Sequence, residues 1–218
     1  MKRLTILTGH YGSGKSEIAV NLAIQEKCDM LVDLDIINPY FRSRSMRKLL
    51  ESHGVELVES TLENAAGSDL PFINAKGSRP FIDGRTRAIY DLGGTQHGAK
   101  LLKQYGPYLH PELELELDLL LVVNRHRPDT ATAEQVHDLI DRLESASGVR
   151  ITGLINNTNM LEETDMRMIA RGETMLKQVA RARQLPIVYT CVEASVDAPK
   201  QFAGSRLRLV RYLAQHWL

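Results

Sequence analysis

Leu4-Thr5-Ile6-Leu7-Thr8-Gly9-His10-Tyr11-Gly12-Ser13-Gly14-Lys15-Ser16 decides how the rest of the chain is read. Residues 4–8 are an apolar run of strand length, and helical periodicity begins at Lys15, so residues 9–16 form a glycine-rich turn from strand to helix. The turn satisfies G-x-x-x-x-G-K-[ST] in full, in the strand–loop–helix context the pattern requires. Glycines at 9, 12 and 14 let the backbone curl so that successive N–H groups point at one anion. The start of the helix adds its dipole and its unsatisfied donors. Lys15 supplies a point charge suited to the β- and γ-phosphates of a nucleoside triphosphate, and the Ser16 hydroxyl stands where Mg²⁺ needs a ligand. Gly9, His10, Tyr11, Gly12, Ser13, Gly14, Lys15 and Ser16, with Glu17 in the first helical turn, are the expected nucleotide-binding set.

Outward from this turn, apolar runs of strand length alternate with stretches of helical period. Strands are expected near 4–8, 30–34, 56–59, 88–92, 119–124, 151–155 and 187–191. Helices are expected over 15–25, 43–52, 96–105, 131–145, 165–183 and 201–216. Alternation of this kind predicts an α/β fold, doubly wound, with a mostly parallel sheet covered by helices on both faces. No long Pro/Gly/Ser linker divides the 218 residues, so one domain over 1–218 is the simplest account. Residues 64–85 break the pattern: Gly67, Pro71, Gly77, Pro80 and Gly84 surround two short apolar pieces, which predicts a surface hairpin or irregular insertion.

Carboxylates gather at the carboxyl ends of the strands. Leu31-Val32-Asp33-Leu34-Asp35 closes the second strand, and Ala88-Ile89-Tyr90-Asp91-Leu92 runs into Gly93-Gly94-Thr95. In an open parallel sheet, ligands collect beyond these ends, so the acids belong beside the phosphates. Asp33 and Asp35 share one side of the strand, one suited to a metal shell and the other to orienting water, or both to capping the next turn. Asp91 reads as an outer Mg²⁺ ligand, and its glycines allow the following loop to approach the γ-phosphate.

Taken together, the P-loop, Asp33-Leu34-Asp35 and Asp91-Leu92-Gly93-Gly94 resemble the MinD/ParA/CobQ-type P-loop ATPases. That group also contains nitrogenase-reductase-like and metal-centre maturation ATPases. The resemblance implies ATP and Mg²⁺ as cofactors, with Asp35 as the catalytic group and Ser16 with Asp91 on the metal side; the reading of the residues adds Lys15 to the catalytic set and Asp33 to the metal shell. Gly153-Leu154-Ile155-Asn156-Asn157 resembles the family strand that ends in an asparagine at the base. Asn157 aligns best and Asn156 next, and an amide there can donate to and accept from adenine. No N-K-x-D pattern is present, which argues against a GTPase. The implied output is a nucleotide switch acting on a protein client or activator, or on maturation of a cofactor or metal centre. One departure stands out: the family's signature lysine near the start of the loop is replaced by His10. A homodimer is possible, but activation across it through that lysine is not implied.

Weaker features point in several directions. Pro39–Arg44 occupies a switch-like position, where Arg42 or Arg44 reads phosphate or merely faces solvent; His97 reads as a helix-surface residue. Leu207, Val210, Leu213 and Trp217 form a stripe on an expected C-terminal helix; ordinary packing is preferred over membrane attachment. Lys plus Arg and Asp plus Glu balance at 27 each, so nucleic acid is not an expected partner. Cys28 and Cys191 suit a reducing compartment, and neither 4–7 nor 117–123 is long enough for a signal core or a membrane span; a cytoplasmic location is expected. Two other classes remain. One is a ligase like dethiobiotin synthetase or cobyrinate ligase that phosphorylates a carboxylate, with Lys76, Arg79, Arg85 and Arg87 binding an anionic substrate. The other is a nucleotide-binding module without turnover.

Overall fold

Among the described residues eight strands carry the architecture, and from each to the next the backbone returns to the same end of the sheet. A computed structural model describes residues 1–35, 44–59, 75–109, 115–194, 196 and 201–213. The strands are β1 (Leu4–Thr8), β2 (Met30–Leu34), β3 (Glu56–Glu59), β4 (Ala88–Leu92), β5 (Leu117–Val123), β6 (Gly153–Asn156), β7 (Ile187–Glu193) and β8 (Ser205–Leu209). The helices are α1 (Lys15–Gln25), α2 (Arg44–Ser52), α3 (Arg79–Asp83), α4 (Gln96–Leu101), α5 (Ala133–Ser147) and α6 (Met166–Arg183). Every ladder is parallel, in the order β3-β2-β4-β1-β5-β6-β7-β8. The first strand therefore lies inside the sheet, between β4 and β5, and β1, β2 and β4 are buried along their whole length.

Because successive strand side chains point to opposite faces, the core splits in two. Leu4, Ile6, Val32, Tyr90 and Leu121 face one layer, where Val136, Leu139 and Leu143 of α5 and Leu176 and Val179 of α6 pack. Leu7, Leu31, Ile89 and Val122 face the other, against Ile18 and Leu22 of α1 and Met46 and Leu50 of α2. Thr132 begins α5 with a reciprocal capping box to Gln135, and Gly148 ends it in a left-handed turn; both follow from residues suited to those positions.

Two sequence expectations are corrected. Residues 205–209 form a strand, not part of a C-terminal helix. Ser-Arg-Leu-Arg-Leu alternates with period two as well as offering a helical stripe, and the open edge of β7 supplies a ladder from Tyr189↔Ser205 to Glu193↔Leu209. The described part of 64–85 is helical rather than a hairpin. A 3₁₀ turn at Ala75–Ser78 leads into α3, and Phe81 reaches the core to stack on Tyr105 with ring centroids 4.8 Å apart. Residues 64–74, the Pro39–Phe41 part of the switch-like segment with Arg42 and Ser43, and Trp217 lie outside the described residues. His97 is exposed on α4, as expected.

Candidate functional site

The buried β1 delivers Thr8 to the carboxyl edge of the sheet, where the chain turns into the Gly9–Ser16 loop. Gly14 sits at φ 90° as the residue before α1, and a Cβ there would stand 2.2 Å from Asn157 Nδ2. Only glycine fits, both for the left-handed backbone and for the close approach. No side chain caps the start of α1, so its first N–H groups are left to a ligand, which favours an anion. From the other side, Gly94 of the loop after β4 packs onto Gly9: a Cβ on Gly94 would lie 1.6 Å from the Gly9 carbonyl oxygen. The two loops thus meet backbone to backbone, with no room for a side chain between them.

The parallel register brings Asp33 of β2 level with Asp91 of β4. Ser16 Oγ donates to Asp91 Oδ2 at 2.5 Å, and the Asp35 amide donates to Asp33 Oδ1 at 3.0 Å. Lys15 Nζ lies 4.0 Å from Asp35 Oδ2, and both side chains are buried. Burial, reinforced by repulsion from Asp91, pushes the Asp33 carboxyl up to about 8. Burial also raises Asp91, to about 6, held down from a larger shift by Lys15 and the Ser16 hydroxyl. Loss of hydration accounts for both directions.

Donor chemistry fits a magnesium ion. Asp91 Oδ1 is buried and has no hydrogen-bond partner among the described residues, while its other oxygen already meets the Ser16 hydroxyl. Among the described residues no three His, Cys, Asp or Glu side chains form a cation cage of their own. Mg²⁺ is commonly held by one or two protein oxygens plus substrate phosphates, so a sparse set of oxygens beside an anion loop is what it takes.

No family model matches the sequence, and no curated protein matches it. Solved structures do match. The cell division protein FtsY from Thermotoga maritima aligns with TM-score 0.55 and 16% identity over 87% of this chain and 61% of that one. Chloroplast FtsY from Physcomitrella patens gives TM-score 0.54 and 14% identity over 87% and 58%. The signal recognition particle receptor FtsY from Elizabethkingia anophelis, in complex with GDP, gives 0.51 and 18% over 88% and 58%. This is a P-loop NTPase fold. The chain spans about three fifths of the length of these structures.

Within the P-loop NTPase fold, the remaining expected residues take up distinct positions. His10 Nε2 lies 2.6 Å from Asp129 Oδ2, so it faces an acid of the loop after β5. Tyr11 is exposed at the mouth of the site. Ser13 Oγ is buried without a partner among the described residues, and the Ser13 carbonyl accepts from Asn157 Nδ2 at 2.7 Å. The Asn157 amide, expected at a base, is therefore engaged with the phosphate loop. Asn156 is turned to α6, donating to the Ile169 carbonyl at 3.1 Å. Glu17 accepts from the amides of Tyr212 at 2.7 Å and Leu213 at 3.1 Å, and burial raises its carboxyl. A cavity of about 470 Å³ is lined by Lys15, Ser16 and Arg127 on the phosphate side and by Leu161, Ile169 and Leu213 on an apolar side.

Sequence reasoning missed Arg127. Its Nε donates to the Gly12 carbonyl at 2.8 Å. Only the strand order, which sets β5 against β1, reveals that the two loops meet. The cations set aside for an anionic substrate lie elsewhere. Lys76 and Arg79 pair with Glu56 at the start of β3, and Arg87, just before β4, pairs with Glu26. They stand at the amino ends of the strands, across the sheet from the phosphate loop, because the chain must return to that edge to begin β4.

Proposed function

We propose that the chain binds a nucleoside triphosphate, ATP by preference, with Mg²⁺ on the Gly9–Ser16 loop, hydrolyses it, and passes the change to a protein partner. One observation carries the reading: Lys15, Ser16, Asp35 and Asp91 converge at an uncapped helix start. Ser16 and Asp91 would hold the ion, with Asp33 behind them. When bound, Mg²⁺ neutralises charge on the β- and γ-phosphate oxygens.

Hydrolysis forms a bond from a water oxygen to the γ-phosphorus and breaks the bond to the β–γ bridging oxygen, which keeps the electron pair; the water proton leaves with the released phosphate. Lys15 and the loop amides stabilise the charge on the transferring group. Asp35, within reach of Lys15, orients the water. The loop at Gly93–Thr95 touches both ends of this arrangement: Gly94 lies on Gly9, and a Cβ on Gly93 would sit 3.4 Å from Asp35 Oδ1. Its movement on loss of the γ-phosphate is the signal to a client or activator, or to a second copy in a homodimer.

Adenine is favoured by the lack of an N-K-x-D pattern, and the GDP bound by one structural neighbour makes GTP the necessary parallel arm. Phosphate release from purified protein with Mg·ATP or Mg·GTP tests the reading. Asp35→Ala lowers turnover by about 100-fold, and Lys15→Ala loses triphosphate binding in calorimetry. Equal turnover by the Asp35→Ala and parent proteins discards the catalytic assignment. Triphosphate affinity untouched by Lys15→Ala discards the whole site.

A further inference from the structure

The loop after β5 is built to present one side chain rigidly. Asn124 and Thr130, both fully buried, brace it: Thr130 Oγ1 donates to the Asn124 carbonyl at 2.7 Å, and the His126 amide to Asn124 Oδ1 at 3.0 Å. Backbone bonds Arg127 N to Asn124 O and Thr130 N to Arg127 O, each 3.0 Å, close the turn around Arg127. A second tie to the phosphate loop runs from His10 to Asp129. Arg127 is thus held beside Gly12 by its own backbone as well as by its Nε bond.

That bond uses only one of the five guanidinium donors. The two η nitrogens have no partner among the described residues, and Arg127 lines the same cavity as Lys15, Ser16 and Asp35. Anchored on the Gly12 carbonyl, the guanidinium lies on the wall of the cavity that Gly12, Lys15 and Ser16 also line. Among the described residues Lys15 is the buried ammonium beside Asp35 and Asp91, and a triphosphate brings negative charge that Arg127, on the wall of the same cavity, helps to offset.

We infer that Arg127 is a catalytic residue, its η nitrogens donating in cis to the phosphate oxygens on which charge grows as the β–γ bridging bond breaks. The inference rests on the nucleotide reading above and deepens it. An arginine in this role is worth roughly 10³–10⁵ in turnover where it has been measured in other NTPases. The competing role is a clamp that only shapes Gly12.

Calorimetry with Mg·ADP, and in parallel Mg·GDP, with and without aluminium fluoride as a mimic of the transferring phosphoryl group, separates the two. The readout is the ratio of the diphosphate Kd without fluoride complex to that with it. In the parent protein the complex tightens diphosphate binding by about 100-fold. Arg127→Ala lowers that ratio by about tenfold or more, and Arg127→Lys, which keeps the charge and loses the planar fork, lowers it by about threefold. A ratio unchanged in both variants overturns the inference, whatever happens to diphosphate affinity alone, because a clamp alters both measurements together. Diphosphate binding by the parent without any tightening overturns it too, while leaving nucleotide binding intact. Absence of binding by either diphosphate removes the nucleotide reading itself.

Discussion

Asp33 and Asp91 face each other across one rung of the sheet, both buried and both holding their protons more tightly than a free carboxyl. An unfolded chain returns them to about 3.9. Between that value and about 8 for Asp33, or about 6 for Asp91, the folded protein binds protons that the unfolded chain has released. These two groups therefore favour the fold at low pH, and that contribution is lost as pH rises from about 4 towards 8. The nucleotide-free protein should show a urea midpoint that falls between pH 5 and 8. Asp33→Asn should flatten the upper half of that fall, leaving the part below pH 6 that belongs to Asp91. A midpoint rising with pH over this range would contradict the burial of the pair. Magnesium affinity should run the opposite way, strengthening with pH, since the ion competes with these protons. At the same scale, the phosphate loop and its acids were legible from sequence because each belongs to a short contiguous motif. Arg127 was not, since its meaning depends on which strand lies beside which.

Helix α1 carries a second role on the face turned to β8. Glu17, Asn21 and Gln25, spaced one turn apart, bind the backbone of β8 and of the residues just after it. Glu17 holds the amides of Tyr212 and Leu213, Asn21 exchanges two bonds with Val210 at 2.8 and 2.9 Å, and Gln25 donates to the Arg208 carbonyl at 2.8 Å. On the far side, Glu173 of α6 accepts from the Ala203 amide. The final strand is thus pinned on both approaches. Asn21→Ala should cost about 2 kcal/mol in chemical denaturation, because Asn21 is fully buried and holds both the amide and the carbonyl of Val210. Gln25→Ala, nearer solvent, should cost under about 0.5 kcal/mol. Comparable losses would mean the clasp is not held at Asn21. In sequence, these three residues look like an ordinary solvated stripe, and Arg-Leu-Arg-Leu satisfies strand and helix alike. Only an available edge at β7 decides between them. The seven earlier strands were legible because each couples an apolar run to a turn at its end.

For the molecule as a whole, ligand and fold are linked through the same loop. At about 100 times its Kd, Mg·ATP should add about 2.7 kcal/mol of stability, raising Tm by roughly 5–10 °C for a chain of this size. Lys15→Ala should abolish the shift in a thermal scan, and a shift that survives would place the nucleotide elsewhere. Among the described residues no helix is long and apolar enough to cross a membrane. The sheet order has a consequence for synthesis. Leu4 pairs with Ala88 on one side and Leu117 on the other. A ribosome that has made β1 must add the chain as far as β5 before both neighbours exist, on the order of ten seconds at ordinary translation speed. Until then the strand that leads into the glycine loop lacks its second neighbour, and a nascent fragment that stops short of Leu117 emerges with one edge of β1 still unpaired.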